Sequence, residues 1–304
     1  MRCIVTGATG FIGTALCEEL LKNGHSVVAV IRPGSTKKNK LRFGAESNGN
    51  LQVVECALDC LSELQQFFGN ADIFYHLAWN GSAGADREDF DIQNTNIGYT
   101  AEAIRAAAKC GCRKFVGAGS QAEYGVVHGV AKEDETVPKP FMMYGAAKAA
   151  AYQMGRVLAE QMGISFVWPR IYSVYGVGEN PGTLVNYVIE SLQKGEVPQL
   201  SPCENMWNFM YITDCVSALR ILGETEETEG IYNVASEDTR PLREFVEEIR
   251  DIIAPGAELG FGAKASDPKR TFRLEPDVGR LRRLEFRCNT KFADGLEREY
   301  YENR

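Results

Sequence analysis

Arg2-Cys3-Ile4-Val5-Thr6-Gly7-Ala8-Thr9-Gly10-Phe11-Ile12-Gly13 opens the chain and decides its fold. The run to Thr6 is short and β-branched, as a buried strand requires. A glycine turn follows, and then Ile12, Leu16, Leu20 and Leu21 recur at helical spacing. Strand, glycine turn and helix in that order form the context of a dinucleotide fingerprint, here spaced GxxGxxG. Gly7 permits the tight turn, Gly10 lets backbone approach a pyrophosphate, and Gly13 lets the helix pack close to the strand. The free N–H groups of the helix start face the phosphates. On this reading Gly7, Thr9, Gly10, Phe11, Ile12 and Gly13 bind a cofactor.

The rest of the composition fits one large α/β domain or a domain with a smaller lobe: 304 residues, 44% apolar and 24% charged. A net charge of −8 argues against nucleic acid or an anionic membrane as partner. No apolar run is long enough to span a bilayer. With a strand at the very start, no leader is expected, and the location expected is cytoplasmic. Nine scattered cysteines without a CxxC pair read as reduced thiols, and His25, His76 and His128 make no metal pattern.

Further strands are expected at Ser26–Ile31, Leu51–Glu55, Asp72–Leu77, Arg113–Val116 and Ile164–Trp168. Helices are expected at Cys60–Phe68, Glu88–Cys110 and Met142–Met162. This alternation predicts a Rossmann-type doubly wound parallel sheet, with ligands at the carboxyl ends of its strands. Residues 1–168 are assigned to the cofactor domain and 169–304 mainly to a smaller C-terminal lobe, some of whose segments return to the sheet. In that lobe Thr213–Leu222, Leu242–Ile253 and Thr290–Tyr301 read as helices and Ile231–Val234 as a strand. At the end of the second strand, Arg32 suits a ribose 2′-phosphate and so NADP, with NAD as the alternative. Ser35, Lys37 and Lys38 either join that anion pocket or form a solvated basic loop.

Tyr144 and Lys148 stand at i and i+4 on one helix face, about 6 Å apart at Cβ. A phenol titrates near ~10, and a neighbouring ammonium lowers that value toward neutrality. Lys148 also reaches a ribose. Ser120 follows the Arg113–Val116 strand, where a site hydroxyl belongs, and its plainer role is a turn cap.

These residues together resemble the extended short-chain dehydrogenase/reductase family of NAD(P)-dependent nucleotide-sugar epimerases, dehydratases and reductases. Val5 to Gly13 resembles its fingerprint and Asn96 to Thr100 its N-V-x-G-T pattern. Ser120, Tyr124 and Gly125 resemble S-x-x-x-Y-G, and Tyr144 with Lys148 its YxxxK pair. Arg170 to Gly176 is similar to R-x-F-N-V-Y-G, and Trp207 to Asp214 to R-D-F-x-Y-V-x-D. The resemblance implies Ser120, Tyr144 and Lys148 as catalytic residues. It adds Leu58, Ala78 and Tyr172 to the cofactor site and places Trp79, Gln121, Tyr124, Ser173 and Trp207 against a nucleotide-sugar. It also implies a homodimer built on the two long helices.

Departures narrow the chemistry. Gln121 and Ala122 stand where family dehydratases carry an acid pair, so dehydration is not expected. Ser173 replaces an Asn, Trp207 an Arg, and Ala57 an acidic adenine contact. Lys269, Arg270 or Arg273 are candidates for the missing diphosphate cation. Cys203 to Asn208 is similar to the segment of family members that reduce 4-keto-6-deoxy sugar nucleotides. The function expected first is therefore NAD(P)H-dependent reduction of such a ketone, with Tyr144 as proton donor. An NAD-dependent nucleotide-sugar 4-epimerase is the alternative, reduction of a different carbonyl, such as a flavonoid-like or steroid ketone, a third reading, and a non-catalytic dinucleotide sensor the reading from another class.

Overall fold

The computed structural model describes residues 1–46, 49–265 and 275–302. The candidate cations Lys269, Arg270 and Arg273 lie outside the described residues. In chain order the strands are β1 (Arg2–Thr6), β2 (Ser26–Ile31), β3 (Leu51–Glu55), β4 (Ile73–His76), β5 (Lys114–Gly117), β6 (Gly119–Ser120), β7 (Ser165–Ile171), β8 (Ser173–Tyr175), β9 (Met206–Tyr211), β10 (Gly230–Val234) and β11 (Thr239–Pro241). The helices that matter here are α1 (Phe11–Lys22), α2 (Gln65–Phe68), α3 (Phe90–Lys109), α4 (Met143–Gln161), α5 (Leu184–Gln193), α6 (Ile212–Glu224), α7 (Leu242–Ile253), α8 (Gly279–Arg282) and α9 (Phe292–Glu302).

The large sheet runs β10-β7-β5-β4-β1-β2-β3, with β6 also on β7. The pairs β1–β2, β2–β3, β1–β4, β4–β5, β5–β7 and β6–β7 are parallel. Strand order reverses between β1 and β4, which opens a crevice at their carboxyl ends. The Rossmann-type fold read from the sequence is the fold observed. β1 and β2 are buried almost throughout because helices cover a parallel sheet on both faces.

Aromatic rings along β5 and β7 build the core. Phe115 and Phe166 stack at 5.6 Å between centroids, and Phe166 and Trp168 at 5.7 Å. The alanine-rich stretches of α3 and α4 pack onto them through Ala103, Ile104, Ala107, Ala151 and Ala159. Small side chains let both helix backbones come close, and at Gly155 a Cβ would sit 3.1 Å from Ile104 and from Phe166.

Several elements depart from the expected bounds for local reasons. The helix expected at Glu88 begins at Phe90, because the Asp89 carboxylate accepts the Ile92 N–H at 2.9 Å and caps it. The helix expected over Cys60–Phe68 is a 3-10 turn, Leu58–Glu63, followed by the single-turn α2. β7 runs past Trp168 to Ile171. Its pairing with β5 ends at Val167 and that with β6 starts at Arg170, so Pro169 falls where β7 changes partner.

The described chain forms two compact units. One comprises residues 1–125, 137–171 and 216–232; the other 126–136, 172–215 and 233–304. The second unit holds the sheet β11-β9-β8 and a cluster of rings, with Phe209–Phe245 at 5.1 Å and Phe245–Phe292 at 4.8 Å. Asp214 accepts the N–H groups of Asn289 and Thr290 and so anchors the segment entering α9. Among the described residues no helix is long and apolar enough to cross a membrane.

Candidate active site

The turn between β1 and α1 depends on its glycines. Gly7 has φ +70, and a Cβ there would lie 2.7 Å from the backbone nitrogen of Ala78, after β4. A Cβ on Gly13 would run into the carbonyl oxygen of Gly7. Gly10 is the helix N-cap, and no side chain caps α1 there. The N–H groups of the first turn are therefore left for a ligand.

In front of this turn lies a cavity of about 440 Å³ at the carboxyl ends of β1, β2 and β4. Gly7, Thr9, Gly10, Arg32, Leu58, Ala78 and Trp79, all predicted site residues, line it. So do Ser35 and Lys37, whereas Lys38 pairs instead with Glu55 at 3.6 Å. Phe11, Ile12 and Gly13 do not line it and instead build the first turn of α1. Sequence reasoning missed Asp59, Asn80 and Tyr99 in the wall. Asn80 is set by Asn96, whose side chain accepts its N–H and donates to its carbonyl, both at 2.9 Å. Asn96 was legible as part of the N-V-x-G-T pattern but not as the clamp on this loop. The volume, the glycine turn and the uncapped helix start fit a nicotinamide dinucleotide.

Trp79 joins this cavity to the predicted catalytic residues. Its indole N–H donates to Gln93 at 2.9 Å, and Gln93 in turn holds the carbonyls of Gly81 and Asp86. The Lys148 amine sits 3.5 Å from the centre of the Trp79 ring, and the Tyr144 ring meets Trp79 edge-on at 6.1 Å. Ser120 acts on the Tyr144 phenol as a hydrogen-bond partner. The structure thus brings Ser120, Tyr144 and Lys148 together beside the cavity.

The electrostatics differ from those expected. Burial raises the Tyr144 phenol above its ordinary value, against smaller lowering effects from Ser120 and Arg87. Lys148 is buried, donates to the carbonyl of Ala118 at 2.6 Å, and is pulled down by burial to about 7. The amine, pulled down by burial and turned to a carbonyl and an indole face, is not among the groups that lower the Tyr144 phenol, as the i, i+4 spacing suggests it would be. The cation that acts on Tyr144 is Arg87, whose guanidinium lies 4.4 Å from the ring centre. Arg87 stands in the Gly84–Glu88 turn, without periodicity or motif to mark it in the sequence. His76 at the end of β4 is neutral, pushed down by burial to about 3, and its Nδ1 bonds the Thr6 hydroxyl at 2.9 Å.

The predicted substrate contacts divide. Gln121 is half-buried at the start of the Gln121–Glu123 turn. Tyr124 does not face the cavity: it is 2% exposed, and the Arg170 guanidinium lies 4.2 Å from its ring centre. A motif tyrosine here serves to pack a buried arginine. In the second unit, Tyr172 is buried and its N–H donates to Val234. Ser173 pairs with Phe209, and Trp207 with Arg240. No His/Cys/Asp/Glu group suited to a metal occurs among the described residues.

A family model, NAD dependent epimerase/dehydratase family, matches residues 3–235. The chain belongs to this family. Among similar proteins are a UDP-N-acetyl-alpha-D-glucosaminuronate decarboxylase of Bacillus cytotoxicus and an uncharacterised UDP-glucose epimerase of Bacillus subtilis. The first is 25% identical, covering 97% of this chain and 95% of the relative. The second is 27% identical, covering 98% and 96%. The crystal structure of UDP-glucuronic acid 4-epimerase from Bacillus cereus in complex with NAD superposes with a TM-score of 0.85 at 25% identity, over 99% of this chain and 98% of that one.

Proposed function

We propose that this protein is an NAD-dependent UDP-sugar 4-epimerase. The observation that carries the reading is the convergence of Tyr144 and Lys148 on Trp79, which lines the cavity in front of the Gly7–Gly10 turn, with Ser120 beside the Tyr144 phenol. The similarity to a UDP-glucuronic acid 4-epimerase holding NAD supports it. Gly7, Thr9, Gly10, Arg32, Leu58 and Ala78 hold the dinucleotide, Lys148 its ribose. The bound cofactor supplies hydride removal and return at the sugar carbon. Tyr144, in its phenolate form, which Arg87 and Ser120 favour, takes the proton from the C4 hydroxyl and later gives it back, and Ser120 holds that oxygen by a hydrogen bond. Gln121, Ser173 and Trp207 are assigned to the sugar nucleotide. Met154 and Val157, exposed on α4, are assigned to a homodimer face, checked by light scattering in solution.

Reduction of a 4-keto-6-deoxy sugar nucleotide is the second reading. What favours it is Arg32 with Ser35 and Lys37 in the cavity wall, a cationic setting suited to the 2′-phosphate of NADP. Two arms of one experiment separate them: UDP-glucose, UDP-glucuronate and UDP-N-acetylglucosamine are incubated with the enzyme and NAD and followed by proton NMR, and a nucleotide-linked 4-keto-6-deoxy sugar is incubated with the enzyme and NADPH and followed by absorbance. The epimerase reading expects interconversion at C4 without cofactor consumption. Stoichiometric NADPH oxidation by a 4-keto substrate, with no epimer from any sugar, would establish the reductase.

A further inference from the structure

Glu123 is the third residue after Ser120 and carries no part in the roles above. It is fully buried. One carboxylate oxygen accepts the backbone N–H of Ser120 at 2.8 Å and the indole N–H of Trp168 at 2.9 Å; the other accepts from Arg170 at 2.8 Å. The Ser120 hydroxyl in turn accepts the Ala122 N–H at 3.2 Å. The turn Gln121–Glu123 is therefore closed from both ends around Ser120. Arg170 is as buried as its partner, and its side chain also packs on Tyr124.

We propose that Glu123, with Arg170 as counter-charge, is a positioning residue for the reaction: it fixes Ser120 through the turn it caps and acts electrostatically on Lys148. The inference rests on the catalytic reading of Ser120, Tyr144 and Lys148. A buried ion pair is seldom the stable choice for a core, since hydrophobic residues of similar volume often serve as well. Its place directly under Ser120 gives it another use. The charged and titratable groups around the catalytic pair are Glu123 from the turn, Arg170 from β7, His76 from β4 and Arg87 from the Gly84–Glu88 turn. His76 is neutral. Arg87 acts on Tyr144, and Glu123 is the anion that opposes the loss of the Lys148 proton on burial.

The test separates charge from hydrogen bonding. In Glu123→Gln/Arg170→Met the amide oxygen still accepts from Ser120 and Trp168, while both charges are gone. Glu123→Asp keeps the charge and shortens the reach. NMR of lysine-labelled protein, with the Lys148 signal assigned by its loss in Lys148→Arg, reports the amine directly and needs no turnover. In the double variant the Lys148 midpoint is expected to fall by about one pH unit, a tenfold change in protonation. The pH–rate profile is expected to move to lower pH with it, with NAD affinity unchanged, and Glu123→Asp to restore part of the shift. A folded double variant with the wild-type midpoint and profile overturns the proposal. If the double variant does not fold, Glu123→Asp decides: a Lys148 midpoint and profile identical to wild type overturn the proposal, and a displacement of both supports it. A shifted midpoint in a protein that turns over no UDP-sugar would leave the positioning role standing and remove the epimerase reading.

Discussion

Lys148→Met is expected to make the protein more stable. The Lys148 amine is 3% exposed and is drawn by burial from 10.5 to about 7. One pKa unit is worth about 1.4 kcal/mol, so holding this amine in the fold at pH 7 costs about 4 kcal/mol relative to a side chain that does not titrate. Methionine gives up the hydrogen bond to Ala118, worth about 1 kcal/mol. The net gain expected at pH 7 is about 3 kcal/mol. Between about 7 and 10.5 the folded protein binds fewer protons at this site than the unfolded chain. Wild-type stability from this group therefore rises with pH across that window, and the advantage of the variant shrinks to nothing by its upper end. Urea unfolding of both proteins at pH 7, 8 and 9 measures the difference, and titrations shared by the two cancel. A variant less stable than wild type at pH 7, or a difference that stays flat with pH, would refute the assignment of Lys148 as a strained functional amine.

Tyr144→Phe is expected to lower kcat by about 10²–10⁴-fold with NAD affinity unchanged, read by steady-state kinetics and fluorescence titration. Gly13→Ala forces a Cβ into the Gly7 carbonyl and is expected to cost about 1–3 kcal/mol and most of the dinucleotide affinity, read by thermal unfolding with and without NAD. Arg87→Leu removes the cation that lowers the Tyr144 phenol, so the phenol rises and the alkaline shift of the pH–rate profile measures it.

The parallel sheet was legible because its strands are continuous apolar runs and the glycine turn admits little else. β6, β8 and β11 were not: at two or three residues each, they carry no periodicity and exist through tertiary pairing. Spacing placed Tyr144 and Lys148 on one face, and the structure keeps them there. Spacing does not show burial, which raises the Tyr144 phenol and lowers the Lys148 amine. The Ser120/Glu123 spacing of a capping box was in the sequence, but not the burial of Glu123 or its pairing with Arg170, which lies 47 residues on. Arg87 meets its partner Tyr144 only through the fold.

In the proposed epimerase reaction the hydrogen at sugar C4 leaves and returns within one bound complex. The direct measurement uses UDP-sugar carrying deuterium at C4, with NAD and the purified enzyme, and mass spectrometry of the product. A C4 epimer that keeps its deuterium, with the NAD pool unlabelled, is the expected result. Epimer without deuterium, or deuterium accumulating in free NADH with no epimer formed, would contradict it.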